Sequence, residues 1–229
     1  MFATFDEQDS GNVSYGVESD AARYFVKTAG NEHGAVTLTF EARVAMLRNA
    51  IELARSCAHA CLPRLHRVIE SPSGPMLVYG WVDGELVRDA MARFRALPAE
   101  EIERGLDAIF DLHRELARVG WIASDFYDGS LIYDFATQAM HVIDLDHYHR
   151  SAFRNTMGRM FGSTRFMAPE ELALGATIDE RTTVFTLGRT IEVLMPGSHA
   201  EIVRCATEHE PERRYATVGD FVAAWQERT

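Results

Sequence analysis

The apolar residues of this chain change period once, and that change limits the folds open to it. Ahead of Val82 they alternate in short runs. Val13–Glu18, Ala22–Lys27, Leu65–Glu70 and Met76–Trp81 read as strands. The turn Ser19-Asp20 makes a hairpin of the first two. Met1–Phe5 reads as a further short strand, followed by the polar turn Asp6–Asn12. One helix interrupts this series, from about Thr39 to Cys57, with Val44, Leu47, Ile51 and Ala54 on one face. Pro63 stops anything helical before it, and Ser71–Pro75 turns between the last two strands. After Asp83-Gly84 the pattern becomes helical. Leu97-Pro98-Ala99-Glu100 opens a helix that runs to about Val119 and stops at Gly120. Leu131–Tyr133 and His141–Ile143 read as short strands around a turn, and Asp146 to Pro169 as irregular chain. Helices are expected at Thr183–Leu194, Ala200–Glu208 and Val218–Gln226. The expected class is α+β with two lobes. Residues 1–80 form a β-rich piece of about five antiparallel strands plus one helix, and residues 81–229 a mainly helical one. A hinge near Trp81–Gly84 is expected, with a ligand cleft at the junction.

Composition narrows the partners. The chain has 229 residues, 47% of them hydrophobic, enough for a real core. Its formal net charge of −11 opposes nucleic-acid backbones and anionic membranes, and no basic stripe interrupts it. No apolar run approaches the ~20 residues of a membrane span. Neither nucleic acid nor membrane is therefore expected as a partner. Cys57, Cys61 and Cys205 are an odd, low count without a secretory leader, which predicts a cytoplasmic location. Cys57 and Cys61 read as small apolar residues of one helix face rather than as metal ligands.

Several motifs then occur in a telling order. Tyr24-Phe25-Val26-Lys27 ends a strand with a cation, which can grip phosphates as a point charge. The run from Leu112-His113-Arg114 to Ala123-Ser124-Asp125 leads from a helix end to a carboxylate, with Ser130 five residues on. Val142-Ile143-Asp144-Leu145-Asp146 places two carboxylates after a strand, a donor set suited to magnesium. Gly162-Ser163-Thr164-Arg165-Phe166-Met167-Ala168-Pro169-Glu170-Glu171 is the most specific stretch, with Glu210-Pro211-Glu212-Arg213-Arg214 following near the C-terminus. Together these resemble the protein kinase family over almost the whole chain, with a small bacterial serine/threonine protein kinase as the nearest pattern.

The resemblance implies a bilobal kinase-like fold and an ATP-dependent phosphotransferase using ATP and Mg2+. Lys27 would hold the α/β-phosphates and Asp125 would orient the acceptor hydroxyl. Asp144 would bind the metal, with Ser130 and Asp146 as further ligands. Ser10, Gly11 and Asn12 would cradle phosphate through backbone N–H groups. Val17 belongs to the same nucleotide-binding set. Gly80 and Val82 would meet adenine along the hinge, with Tyr79 behind it. Glu52, or else Glu41 eleven residues earlier on the same helix, would pair with Lys27. Glu170 would pair with Arg214 inside the helical lobe. Asp128 is the rival carboxylate to Asp125, and a turn cap is its simpler role. His147 and His149 read as loop residues rather than metal ligands.

The chain also departs from the family. It has no Gly-x-Gly-x-x-Gly, and Phe25 stands where a small residue leaves room for adenine. Ala123-Ser124 replaces the His-Arg before the catalytic aspartate, and Tyr127 replaces a lysine. Ser130 replaces the metal-binding asparagine, and Thr183 an aspartate that braces the catalytic loop. Asp146 in place of glycine resembles small-molecule kinases. No room remains for the extra helix that docks protein substrates. Two alternatives to the leading reading follow: a pseudokinase that binds nucleotide or acts as a scaffold, and a small-molecule kinase. The phosphoacceptor is not specified by the sequence.

Overall fold

A computed structural model describes residues 1–6, 11–31 and 38–228. The chain is α+β and divides into two compact units, Met1–Val82 and Asp83–Thr229.

The first unit is a five-stranded antiparallel sheet with one helix. Its strands are β1 (Ala3–Phe5), β2 (Val13–Ser19), β3 (Ala22–Thr28), β4 (Leu65–Ser71) and β5 (Gly74–Gly80), in the order β1-β2-β3-β5-β4. The β2–β3 hairpin closes through Asp20 and Ala21, both at positive φ (51° and 60°). That is the geometry a two-residue loop needs to match the right-handed strand twist. Helix α1 (Phe40–Ser56) starts where the Thr39 hydroxyl accepts the Ala42 N–H at 3.2 Å. It buries Leu47, Ala50 and Ile51 against Ala29 and Leu77 of the sheet, with Phe40, Val44, Leu65, Val68 and Tyr79 around them. The expected face held at Leu47 and Ile51; the buried polar position on it, Arg43, was not foreseen.

The second unit is mainly helical. It contains α2 (Met91–Arg95), α3 (Ala99–Arg118), α4 (Glu180–Leu194), α5 (Ala200–Ala206) and α6 (Val218–Gln226). Short strands decorate it: β6 (Glu85–Leu86), β7 (Trp121–Ile122), β8 (Leu131–Asp134), β9 (Ala139–Val142), β10 (His149–Arg150), β11 (Phe153–Arg154) and β12 (Thr177–Ile178). Helix α3 buries Ile102, Leu106, Ile109, Phe110, Leu112 and Leu116, a stripe at helical spacing. Phe110 meets Phe221 and Trp225 of α6 edge-to-face at 4.9 and 5.0 Å. The β8–β9 hairpin pairs Leu131 with Val142, and β6 lies along its other edge. The stretch expected to be irregular, Asp146–Pro169, instead carries β10, paired to β7, and β11, paired to β12. Two-residue strands leave no alternation to read, which is why the sequence did not show them. No helix among the described residues is long and apolar enough to cross a membrane.

Candidate functional site

In the second unit the β8–β9 hairpin brings two of the expected carboxylate segments together. The Ile143 N–H donates to the Ser130 carbonyl at 2.9 Å, so the ladder extends one pair beyond the strands. Asp144 follows directly, one residue past the Ile143–Ser130 pair. Asp125 lies in the loop between β7 and a 3-10 turn at Asp128–Ser130. Both aspartates have left-handed backbones, φ 58° at Asp125 and 62° at Asp144. Non-glycine residues adopt this region only when the surroundings hold them there, and aspartate tolerates it better than most. Tyr127 feels the charge of both. Its phenol is raised above its ordinary value by burial first, then by the charges of Asp125 and Asp144. Its ring crosses over Gly129, where a Cβ would meet it at 2.4 Å, so a side chain there would displace the ring.

The Asp125 loop is braced from three sides. The Ala123 N–H donates to the Thr183 hydroxyl on α4 at 3.0 Å, so threonine performs the bracing expected of an aspartate. His113 on α3 is buried, 4.6 Å from the Phe126 ring. Its Nδ1 lies 2.7 Å from the Ile109 carbonyl, which can only accept, so Nδ1 carries the proton. Its Nε2 therefore accepts from the Tyr148 hydroxyl at 2.7 Å. Burial, and then the Asp125 charge, hold that hydroxyl well above its ordinary pKa. On the third side, Gly162 adjoins the Asp125 carboxylate, and His147 Nε2 is 3.8 Å from Asp125 Oδ2. Asp144 is exposed, whereas Asp146 and Ser130 are buried.

Asp128 does not cap its turn. It is buried, and both its oxygens accept from Arg165 Nη2, at 2.9 and 2.8 Å. Glu170 and Arg214 form a buried two-pronged pair, Nη1 to Oε1 at 2.7 Å and Nη2 to Oε2 at 2.9 Å. The Thr182 hydroxyl also donates to Glu170. Next to it, Glu171 accepts the Ala168 N–H at 2.8 Å. Its carboxyl is pushed up to about 7, by burial first and by Glu170 and Asp125 among the lesser causes.

In the first unit Lys27 is 5% exposed on β3, opposite Ser14 on β2 and Leu77 on β5. Directly paired residues share a sheet face. Lys27 therefore faces with Ser14, Gly16, Phe25, Leu77 and Tyr79, and through Ser14 with Phe5. The rings of Phe5 and Phe25 lie 5.7 Å apart, so Phe25 packs along this face beside β1. Val17 pairs with Tyr24 and belongs to the opposite face, away from Lys27. The alternation of the strand thus removes Val17 from any group gathered around that lysine. The Gly80 N–H donates to the Arg64 carbonyl at 2.9 Å, so Gly80 has only an acceptor to offer a base. Val82 is the last residue of the unit. Glu52 and Glu41 both lie on the exposed face of α1. The inward polar position on that helix is Arg43, four residues before Leu47. Gly11, at φ 82°, and Asn12 are buried; Ser10 lies outside the described residues.

Arg43 was missed. Its guanidinium, 1% exposed, donates to the carbonyls of Gly11, Ala29 and Asn31. It thereby ties the turn before β2 to the chain leaving β3. An arginine in phase with Leu47 and Ile51 was the available signal. A second signal lay in the composition: Lys27 is the only lysine, and the remaining cationic side chains are all arginine.

No protein-family model matches the chain, and no curated protein matches it.

Proposed function

We propose that the chain is an ATP-dependent phosphotransferase of protein-kinase-like fold, transferring the γ-phosphate to a hydroxyl. The observation that carries the reading is that Asp125 and Asp144, from separate loops and both in left-handed backbone, both act by their charge on the Tyr127 phenol. Strain of this kind concentrates at functional sites, and structural turns more often use glycine or asparagine. Asp125 would accept or orient the proton of the attacking hydroxyl. The oxygen donors of Asp144 and Ser130 suit a hard cation, and Asp146 adds a second carboxylate two residues on. Magnesium held there would supply charge neutralisation on the phosphates. Lys27 would grip the α/β-phosphates. A chain that uses arginine everywhere else keeps lysine at this one buried strand position. A compact ammonium is what a point contact to phosphate needs. The aromatic pair Phe5 and Phe25 on the Lys27 face would support the base in place of a glycine-rich loop.

A second reading, a nucleotide-binding pseudokinase, draws on Tyr127. A half-buried neutral phenol occupies the place beside Asp125 where a cation would assist transfer.

A nucleotide probe with an acyl-phosphate tail tests the shared part. It acylates an amine beside the phosphates, and Lys27 is the only side-chain amine available. Label on Lys27, competed by ATP and lost in Lys27→Arg, is the expected result. Absence of label, together with no rise in melting temperature on adding ATP and Mg2+, would sink the nucleotide site. Labelling without transfer of radiolabelled γ-phosphate to protein or small molecule would leave the pseudokinase.

A further inference from the structure

The charge of the chain is locally reversed in the middle of the second unit. From His147 to Ile178 the only carboxylates are Glu170 and Glu171, and both are buried and bonded within the protein. The same stretch carries four arginines, in a chain of net charge −11. Arg165 is paired with Asp128. Arg150, Arg154 and Arg159 are exposed, and none has a carboxylate partner among the described residues. Arg154 donates to the Gly175 carbonyl, and Arg159 to the Met160 and Gly162 carbonyls. Carbonyl contacts hold these side chains in position without neutralising them.

Between these two arginines lie the large exposed apolar side chains of the unit: Met157 at 53%, Leu172 at 48% and Leu174 at 74%. Their backbone is fixed. Asn155, 1% exposed, donates through Nδ2 to the carbonyls of Gly158, Glu170 and Glu171. Its Oδ1 accepts from Met157 and Gly158, and its own backbone pairs with Gly175 and Ala176. The Met160 N–H reaches the Glu171 carbonyl at 2.9 Å. Arg154 thus stands beside Leu174, and Arg159 beside Leu172, on two stapled segments. Ordering such a surface costs a partner little, because it is already ordered.

We propose that this surface, residues 154–160 with 172–175, docks an acidic peptide segment that carries aliphatic side chains. Carboxylates would meet Arg154 and Arg159, and aliphatic groups would cover Leu172, Leu174 and Met157. An anionic bilayer is disfavoured because the net charge of the chain repels it beyond the patch. A second copy docking face to face would set guanidinium against guanidinium, since a two-fold contact pairs like surface with like. The inference stands independently of phosphotransfer and is read without nucleotide.

The test is selection of a short random-peptide display library on the full-length immobilised chain. Enrichment of Asp and Glu together with Leu, Ile, Val or Met is expected. An enriched peptide should bind Arg154→Gln/Arg159→Gln about tenfold more weakly, and lose affinity as salt rises. Leu172→Ser/Leu174→Ser should weaken it by a similar factor while thermal unfolding stays at the wild-type temperature, since these leucines are exposed. Enrichment without acidic residues, or binding unchanged in the arginine variant, overturns the proposal. So does arginine-dependent pelleting with phosphatidylserine vesicles or arginine-dependent self-association in sedimentation, either of which assigns the surface to a different occupant.

Discussion

Asp125 and Asp144 share a backbone conformation that costs an ordinary side chain roughly 1–2 kcal/mol, and that Asp and Asn adopt more easily. Substitutions there should separate chemistry from folding. Asp144→Asn is expected to unfold near the wild-type denaturant midpoint while losing the melting response to ATP and Mg2+. Asp144→Ala should lose the same response and also about 1 kcal/mol of stability, read from the denaturant midpoint. Glu171 gives a pH signature. Its carboxyl titrates at about 7 in the folded protein against an ordinary 4.5. In mild acid, below both values, it contributes nothing. As pH rises through that window the unfolded state gives up its proton first, so stability falls until neutrality and stays lower above it. Glu171→Gln keeps an acceptor for the Ala168 N–H. It should melt above wild type at alkaline pH and alongside it at pH below the ordinary carboxylate range.

At the level of elements, the buried pair Glu170–Arg214 joins the turn before α4 to the segment before α6. Arg214→Met would strand the Glu170 carboxylate in the interior. The expected cost is about 3–5 kcal/mol, measured by urea denaturation. This pair was legible in the sequence because its motif is long and its partners few. The strands and long helices were legible too, through strict period-two and helical spacing. Helix α6 matches its expected limits, Val218–Gln226. What could not be read were contacts that spacing does not encode. Val17 is not among them: with a two-residue turn at Ser19-Asp20 or at Asp20-Ala21 alike, alternation puts it on the face away from Lys27. The glutamates sought for Lys27 lie outward because α1 is phased by Leu47 and Ile51, which brings Arg43 inward. Asp128 needed Arg165, 37 residues away, before its role was visible.

For the whole molecule, ligand linkage is the broadest check on the proposed function. Saturation at roughly 100 times Kd should add about 2.7 kcal/mol to the stability of a protein that binds ATP·Mg2+ only when folded. Scanning calorimetry at increasing nucleotide should show the transition climbing with concentration. The burial of Lys27 bears on the life of the protein as well as on any reaction. Many marking systems, from laboratory crosslinkers to degradation tags, write on lysine. This fold presents them with almost none: its single ε-amine sits inside a sheet, 5% exposed. Leaving aside the chain terminus, such a mark on the native protein would need a carrier that the sheet admits. Otherwise it would record that the sheet had come apart.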